Sequence, residues 1–118
     1  MTATASKSNP IPAIEQEHVR TGTSPSAFKS AFLDNLNYSV GLPLEISTAE
    51  DRYQAVALSV RDRIMQRWVK RDSLWNRPDV RQVSYLSAEF LVGPHLGNDL
   101  LNLGITENVR EAMAGLGA

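Results

Sequence analysis

The chain has 118 residues, enough for one ordinary domain, and its twelve basic and thirteen acidic residues leave a net charge of −1. That balance gives no global argument for nucleic acid or for an anionic membrane as partner. The absence of cysteine excludes disulfides, thiolate metal sites and a cysteine nucleophile, so stability has to come from burial.

Residues 1–23 scatter a few apolar positions among Pro10, Pro12 and Gly22, with neither a strand nor a helix period, and a flexible tail is expected there. With one Lys and no Arg, Met1 to Ile14 lacks the basic character of an organelle transit segment, and the chain start lacks the apolar core of a secretory signal. No apolar run reaches the roughly 20 residues that span a bilayer. A cytoplasmic protein without membrane contact is the expectation.

From Ser24 the pattern becomes helical. Ser24 and Pro25 read as N-cap and first helical residue, and Phe28, Ala31, Phe32, Asn35 and Leu36 follow at steps of three and four, with Gly41 past the end. Gly41 to Ile46 contains Pro43 and reads as a connection. Ser47 and Glu50 read as the capping box of a second helix, whose stripe of Tyr53, Ala57, Val60, Ile64 and Trp68, with Val56 beside it, should face a core. Arg52, Ser59, Arg63, Gln66 and Lys70 are then placed on the outer side. Asp72, Ser73, Asn76 and Pro78 suggest a polar loop, and Val80 to Leu86 a strand, which the chain offers no good partner. Pro94 to Leu103 suggests a short helix stopped by Gly104, and Thr106 the cap of a last helix through about Ala114, with Val109, Ala112 and Met113 on one side. The expected class is α/β: a mainly helical piece with one clear strand, in which residues 24–118 form an incomplete domain.

Few residues offer chemistry. His18 and His95 have no second ligand at metal spacing, Ser84 and Ser87 sit in no nucleophile elbow, and Gly115 to Gly117 follows a helix, where it acts as a stop and not as a phosphate cradle. Arg61, Arg63, Arg67, Lys70, Arg71, Arg77 and Arg81 could meet phosphate, but Asp62, Asp72 and Asp79 are interspersed, so a solvated helix face is the plainer reading. Trp75 in the loop could be a ligand platform, although such residues more often pack over a helix end. Glu89 stands out because it follows the apolar run Arg81 to Leu86, at the position where open α/β sheets bind ligands; a capping or salt-bridging role is the alternative.

Val60-Arg61-Asp62-Arg63, Arg67-Trp68, Tyr85-Leu86-Ser87-Ala88-Glu89-Phe90-Leu91-Val92-Gly93 and Leu96-Gly97-Asn98-Asp99-Leu100-Leu101-Asn102-Leu103-Gly104 occur in this order. Over about Phe28 to Gly117 the chain resembles the amino-terminal part of the α-glucan phosphorylases, the glycogen, starch and maltodextrin enzymes. The resemblance implies a much longer protein of two Rossmann-like domains (GT-B type), a homodimer that uses inorganic phosphate to cleave terminal α-1,4 bonds of a glucan and releases α-D-glucose 1-phosphate. It implies pyridoxal 5'-phosphate as cofactor, held as a Schiff base by a lysine of the carboxyl-terminal half that is not in this chain. Residue by residue, Glu89 matches a carboxylate of the glucose pocket and Leu91 a position beside the cofactor. Trp68, Asp72, Ser73 and Asn76 match a nucleotide-effector site that in regulated animal enzymes carries two glutamines and a tyrosine at its last three positions. Only Trp68 is kept, so activation by AMP is not expected. No residue here is expected to be catalytic or to bind metal, and the chain alone is expected to be inactive. The rival reading is a stand-alone helical interaction or dimerisation module derived from a phosphorylase amino terminus.

Overall fold

The computed structural model describes residues 18–89 and 93–118. Most of the expected tail, and Leu91, lie outside the described residues. Four helices carry the architecture: α1, Pro25–Asp34; α2, Ala49–Trp75; α3, Leu96–Leu103; and α4, Thr106–Leu116. A π-helical turn, Asn35–Val40, continues α1, and a single 3-10 turn, Leu44–Ile46, precedes α2. Among the described residues no helix is long and apolar enough to cross a membrane.

The start of α1 is fixed as its sequence suggests. Ser24 Oγ accepts the Ala27 amide at 3.2 Å, and Pro25 supplies a preset φ where no amide is needed. All five periodic residues, Phe28, Ala31, Phe32, Asn35 and Leu36, are buried, and Gly41 ends the run at φ 86°, a conformation that favours glycine. Phe28, Phe32 and Leu36 pack with Ala55, Val56 and Val60 of α2 and with Ile105, Val109 and Ala112 at the other end of the chain. Burial of each phenylalanine contributes about 1.5–3 kcal/mol over leaving it exposed. Thus α1 lies against α2 and α4, and α3 bridges those two.

The capping box of α2 falls one residue later than the sequence reading places it. Thr48 Oγ1 accepts the Asp51 amide at 3.3 Å, and Asp51 Oδ2 accepts the Thr48 amide at 2.8 Å. Ser47 is engaged elsewhere: its hydroxyl donates to the Leu44 carbonyl at 2.8 Å and accepts from Arg52 Nε at 2.9 Å. The buried face of α2 is also rotated from the expected stripe. Ala55, Val56, Ser59, Val60 and Arg63 are buried, whereas Tyr53 and Trp68 are exposed. Ser59 and Arg63 can lie inside because each finds partners there, which removes the cost that would otherwise keep them in water. The helix continues through Asp72 and Ser73 to Trp75, where a loop was expected.

The expected class needs correction: the described residues are helical and contain no strand. Arg81 to Leu86 takes no regular secondary structure and makes no backbone–backbone hydrogen bond to a described residue, with Val83, Tyr85 and Leu86 at 87, 90 and 93% exposure. Propensity alone does not make a strand, because the ladder needs a neighbour to take up the amides and carbonyls, and none of the described elements lies alongside. The helix after Pro94 appears as α3, closed by Gly104 at φ 72°. At α4 the cap residue is Ile105, and the Thr106 hydroxyl, expected to cap, is buried without a hydrogen-bond partner among the described residues. Val109 and Ala112 are buried as expected, and α4 passes Gly115 before Gly117 stops it at φ 67°.

Candidate functional site

The sequence-derived positions do not converge. Glu89 is exposed just past a bend at Ala88, where its amide donates to Ser87 Oγ at 3.1 Å, and its carboxylate makes no hydrogen bond or ion pair with a described residue. Trp68 lies on the distal half of α2 at 54% exposure. The Arg71 guanidinium stacks between two indoles, 4.5 Å from the Trp68 ring and 4.2 Å from the Trp75 ring. Helical spacing explains the sandwich, since residues 68, 71 and 75 fall three and four apart on one face. Beside it, Ile64, Arg67, Trp68 and Arg71 line a shallow depression of ≈ 200 Å³. Trp75 thus belongs to a helix and is capped by an arginine, which uses one of the faces a ligand would need.

The densest polar cluster lies where sequence reasoning did not place one, beneath the chain that enters α1. Asn35 Nδ2 donates to Ser59 Oγ at 3.0 Å and reaches Asp62 Oδ2 at 3.5 Å, while Asn35 Oδ1 accepts from Ser39 Oγ at 3.1 Å. Asp62 Oδ2 also pairs with Arg20 Nε at 2.9 Å. Arg63, 2% exposed, donates through Nε and Nη2 to the Gly22 carbonyl at 2.8 and 2.5 Å and through Nη1 to the Ser59 carbonyl at 2.7 Å. Its guanidinium lies 4.7 Å from the Phe28 ring centroid. Gln66 Nε2 donates to Thr21 Oγ1 at 3.1 Å, and Asn108 Nδ2 to the Thr23 carbonyl at 2.8 Å.

These bonds tie residues 20–23 to α2 and α4. The only sequence signal for them is a pair of polar residues, Ser59 and Arg63, four apart on the helix face next to the apolar stripe. A neighbouring hollow of ≈ 290 Å³ is lined by His18, Arg20, Asp34, Asn35, Tyr38 and Ser39. The cluster is suited to fixing chain geometry: its hydrogen bonds are used internally, and the described residues hold no group of three or more metal-ligating side chains.

One carboxylate is electrostatically distinct. Asp51 titrates below its ordinary range, first because the Thr48 hydroxyl donates to it at 2.7 Å and then because the Thr48 amide does so as well. This is a helix-cap effect, remote from Glu89 and Trp68.

The described residues form no assembled centre, and sequence relatives supply the class. No protein-family model matches the chain, and neither does a solved structure. A protein of Synechocystis sp. named glycogen phosphorylase is 47% identical over 102 residues, covering 86% of this chain and 12% of the relative. The glycogen phosphorylase of Chlamydia pneumoniae is 40% identical over 90 residues, 76% of this chain and 11% of the relative. The brain-form glycogen phosphorylase of Bos taurus is 32% identical over 89 residues, 75% of this chain and 11% of the relative. The chain therefore belongs, by sequence, with the α-glucan phosphorylases. Within that class it corresponds to a fragment of a glycogen phosphorylase, spanning about one eighth of the length of the curated relatives it matches.

Proposed function

We propose that the chain is part of a glycogen phosphorylase, a cytoplasmic, homodimeric, pyridoxal phosphate-dependent enzyme that transfers the terminal glucosyl unit of an α-1,4-glucan to inorganic phosphate, releasing α-D-glucose 1-phosphate. The observation that carries this reading is the 47% identity over 102 residues to a protein of that name. In this reading residues 24–118 belong to the amino-terminal domain of the enzyme, Glu89 supports the glucose pocket, Leu91 lies beside the cofactor, and Trp68 keeps one position of a lost nucleotide-effector site.

The described residues contribute scaffold to that reaction. Of the lysines among them, Lys29 reaches Gly115 on α4, its Nζ 2.8 Å from where a Cβ would stand there, and Lys70 lies on the exposed half of α2, so no cradle for pyridoxal phosphate is built around either. What the chain supplies is a set of packed helices and the irregular segment that leads to Glu89. Alone, the 118-residue chain is inert: purified with added pyridoxal phosphate, maltodextrin and phosphate, it releases no glucose 1-phosphate, and measurable product would refute this. A chimera in which residues 28–117 replace the matching stretch of the Synechocystis relative tests the wider reading. It should catalyse phosphorolysis; a soluble, cofactor-loaded but inactive chimera would count against it.

The rival reading, a self-sufficient helical interaction module, has one observation in its favour: the helices bury a core of their own, from Phe28 to Ala112. A module of that kind has no need to support phosphorolysis, so the active chimera also separates the two.

A further inference from the structure

Residues 20–23, ahead of α1, are held from two sides. On the α2 side Asp62 pairs with Arg20, Arg63 meets the Gly22 carbonyl through Nε and Nη2, and Gln66 donates to Thr21 Oγ1. On the α4 side Asn108 donates to the Thr23 carbonyl. The two helices tied in this way pack chiefly on α1, and their other link is α3, where Arg67 donates to the Leu103 carbonyl at 3.3 Å. Between the tie and the helices, Thr21, Thr23, Arg63, Gln66, Leu103 and Ile105 line a small hollow of ≈ 60 Å³. The segment's own backbone makes a single turn, in which the Thr21 and Gly22 amides donate to the His18 carbonyl at 3.1 and 2.6 Å. One isolated turn does not hold in water, so its persistence depends on the groups that α2 and α4 extend to it.

We propose that residues 20–23 form a strap that docks and releases as one unit, keyed by Arg63, and that its docking sets how closely α4 is held to α2. Release takes the Gly22 carbonyl away from a guanidinium that is 2% exposed. A strap that is half detached gains nothing, because the buried charge is left short of an acceptor as soon as Gly22 moves. The bonds at Thr21 and Thr23 flank that acceptor by one residue on each side, so they are made or lost with it. With the strap off, α4 keeps its apolar face on α1 through Val109 and Ala112, but its tie to α2 runs only through α3. It can then swing about α1, which is a local opening of the fold and not its loss. Nothing in this device depends on the phosphorylase reading.

Residue-resolved hydrogen exchange on the purified chain tests the strap, with the Thr21 and Gly22 amides reporting it and Phe32 and Leu36 reporting the core. The strap amides should open more readily than the core amides. Asn108→Ala changes a side chain on α4 that bonds only the Thr23 carbonyl of the strap, yet it should speed exchange at Thr21 and Gly22 about two- to tenfold, the weight of one hydrogen bond. Gln66→Ala, on α2, should act on both amides alike, and the two factors should multiply in the double variant. Val56→Ala, two turns before Arg63 in the core, should speed Phe32 and Leu36 and leave Thr21 and Gly22 unmoved. The cysteine-free sequence allows a second readout, the distance between spin labels at Arg61→Cys on α2 and Glu111→Cys on α4. That distance should be narrowly distributed in the parent and broader in Arg63→Met; should Arg63→Met fail to fold, Asn108→Ala should broaden it in a smaller fraction of molecules. Strap amides that ignore Asn108→Ala, strap amides that follow the core in Val56→Ala, or a label distance indifferent to the loss of strap contacts would each overturn the inference. Any of these together with an active chimera would sink the strap and leave the phosphorylase reading standing.

Discussion

Arg63 shows how much one side chain holds together here. Its guanidinium is buried over Phe28, donates twice to the Gly22 carbonyl and once to the Ser59 carbonyl, and so connects the chain ahead of α1 to the middle of α2. Arg63→Met keeps much of the aliphatic volume but strips the donors from two carbonyls. Hydrogen bonds to charged groups are worth about 1.5–3 kcal/mol, and unsatisfied buried acceptors add a penalty. The substitution should cost about 2–3 kcal/mol of stability, read as a lower urea midpoint at unchanged slope by far-ultraviolet circular dichroism. Arg63→Lys should recover only part of the loss, because one ammonium cannot reproduce the fork that meets Gly22 and Ser59 at once.

At the scale of elements, the caps decide where helices begin. Thr48→Ala removes the hydroxyl that accepts the Asp51 amide and should cost about 1 kcal/mol. It also removes the first cause of the depressed Asp51 titration. A carboxylate whose folded-state pKa is lowered adds stability that is fully present above its ordinary value of about 3.9 and is lost as pH falls through the lowered folded value. Because Asp51 is solvent-exposed the contribution is screened, and the sharper readout is its own titration by carboxyl carbon NMR. In Thr48→Ala that midpoint should rise toward the ordinary value; an unmoved midpoint would show that the hydroxyl is not its cause.

What could be read in advance follows from the same physics. The start of α1, its five core residues and the glycine stops at 41 and 104 were legible because each depends on local geometry. The face of α2 was misjudged since a period alone cannot reveal that Ser59 and Arg63 would find Asn35 and Gly22, residues distant in sequence. Residues Val80 to Leu86 read as a strand in sequence because β-prone residues look alike whether or not a partner exists. As for site residues, Glu89 rests on its place after the run to Leu86 as well as on the resemblance, Trp68 on the resemblance alone, and the described geometry does not bring them together.

On the scale of the whole molecule, one helical core is closed while the distal half of α2 and the run to Leu86 leave Trp68, Val69, Leu74, Trp75, Val83 and Tyr85 in contact with solvent. Both tryptophans of the chain are in that open region, at 54 and 45% exposure, and neither touches the core formed by Phe28 and Phe32. Ultraviolet emission from this protein should therefore report the distal part of one helix, where Arg71 stacks between the indoles, more than the interior. The folded chain should already emit close to the wavelength of hydrated indole, and melting should barely shift that maximum while helical ellipticity collapses. A large red shift coincident with the loss of ellipticity would mean that the indoles are shielded in solution. For anyone following folding here, a phenylalanine-to-tryptophan probe at Phe32 is the reporter the native spectrum lacks.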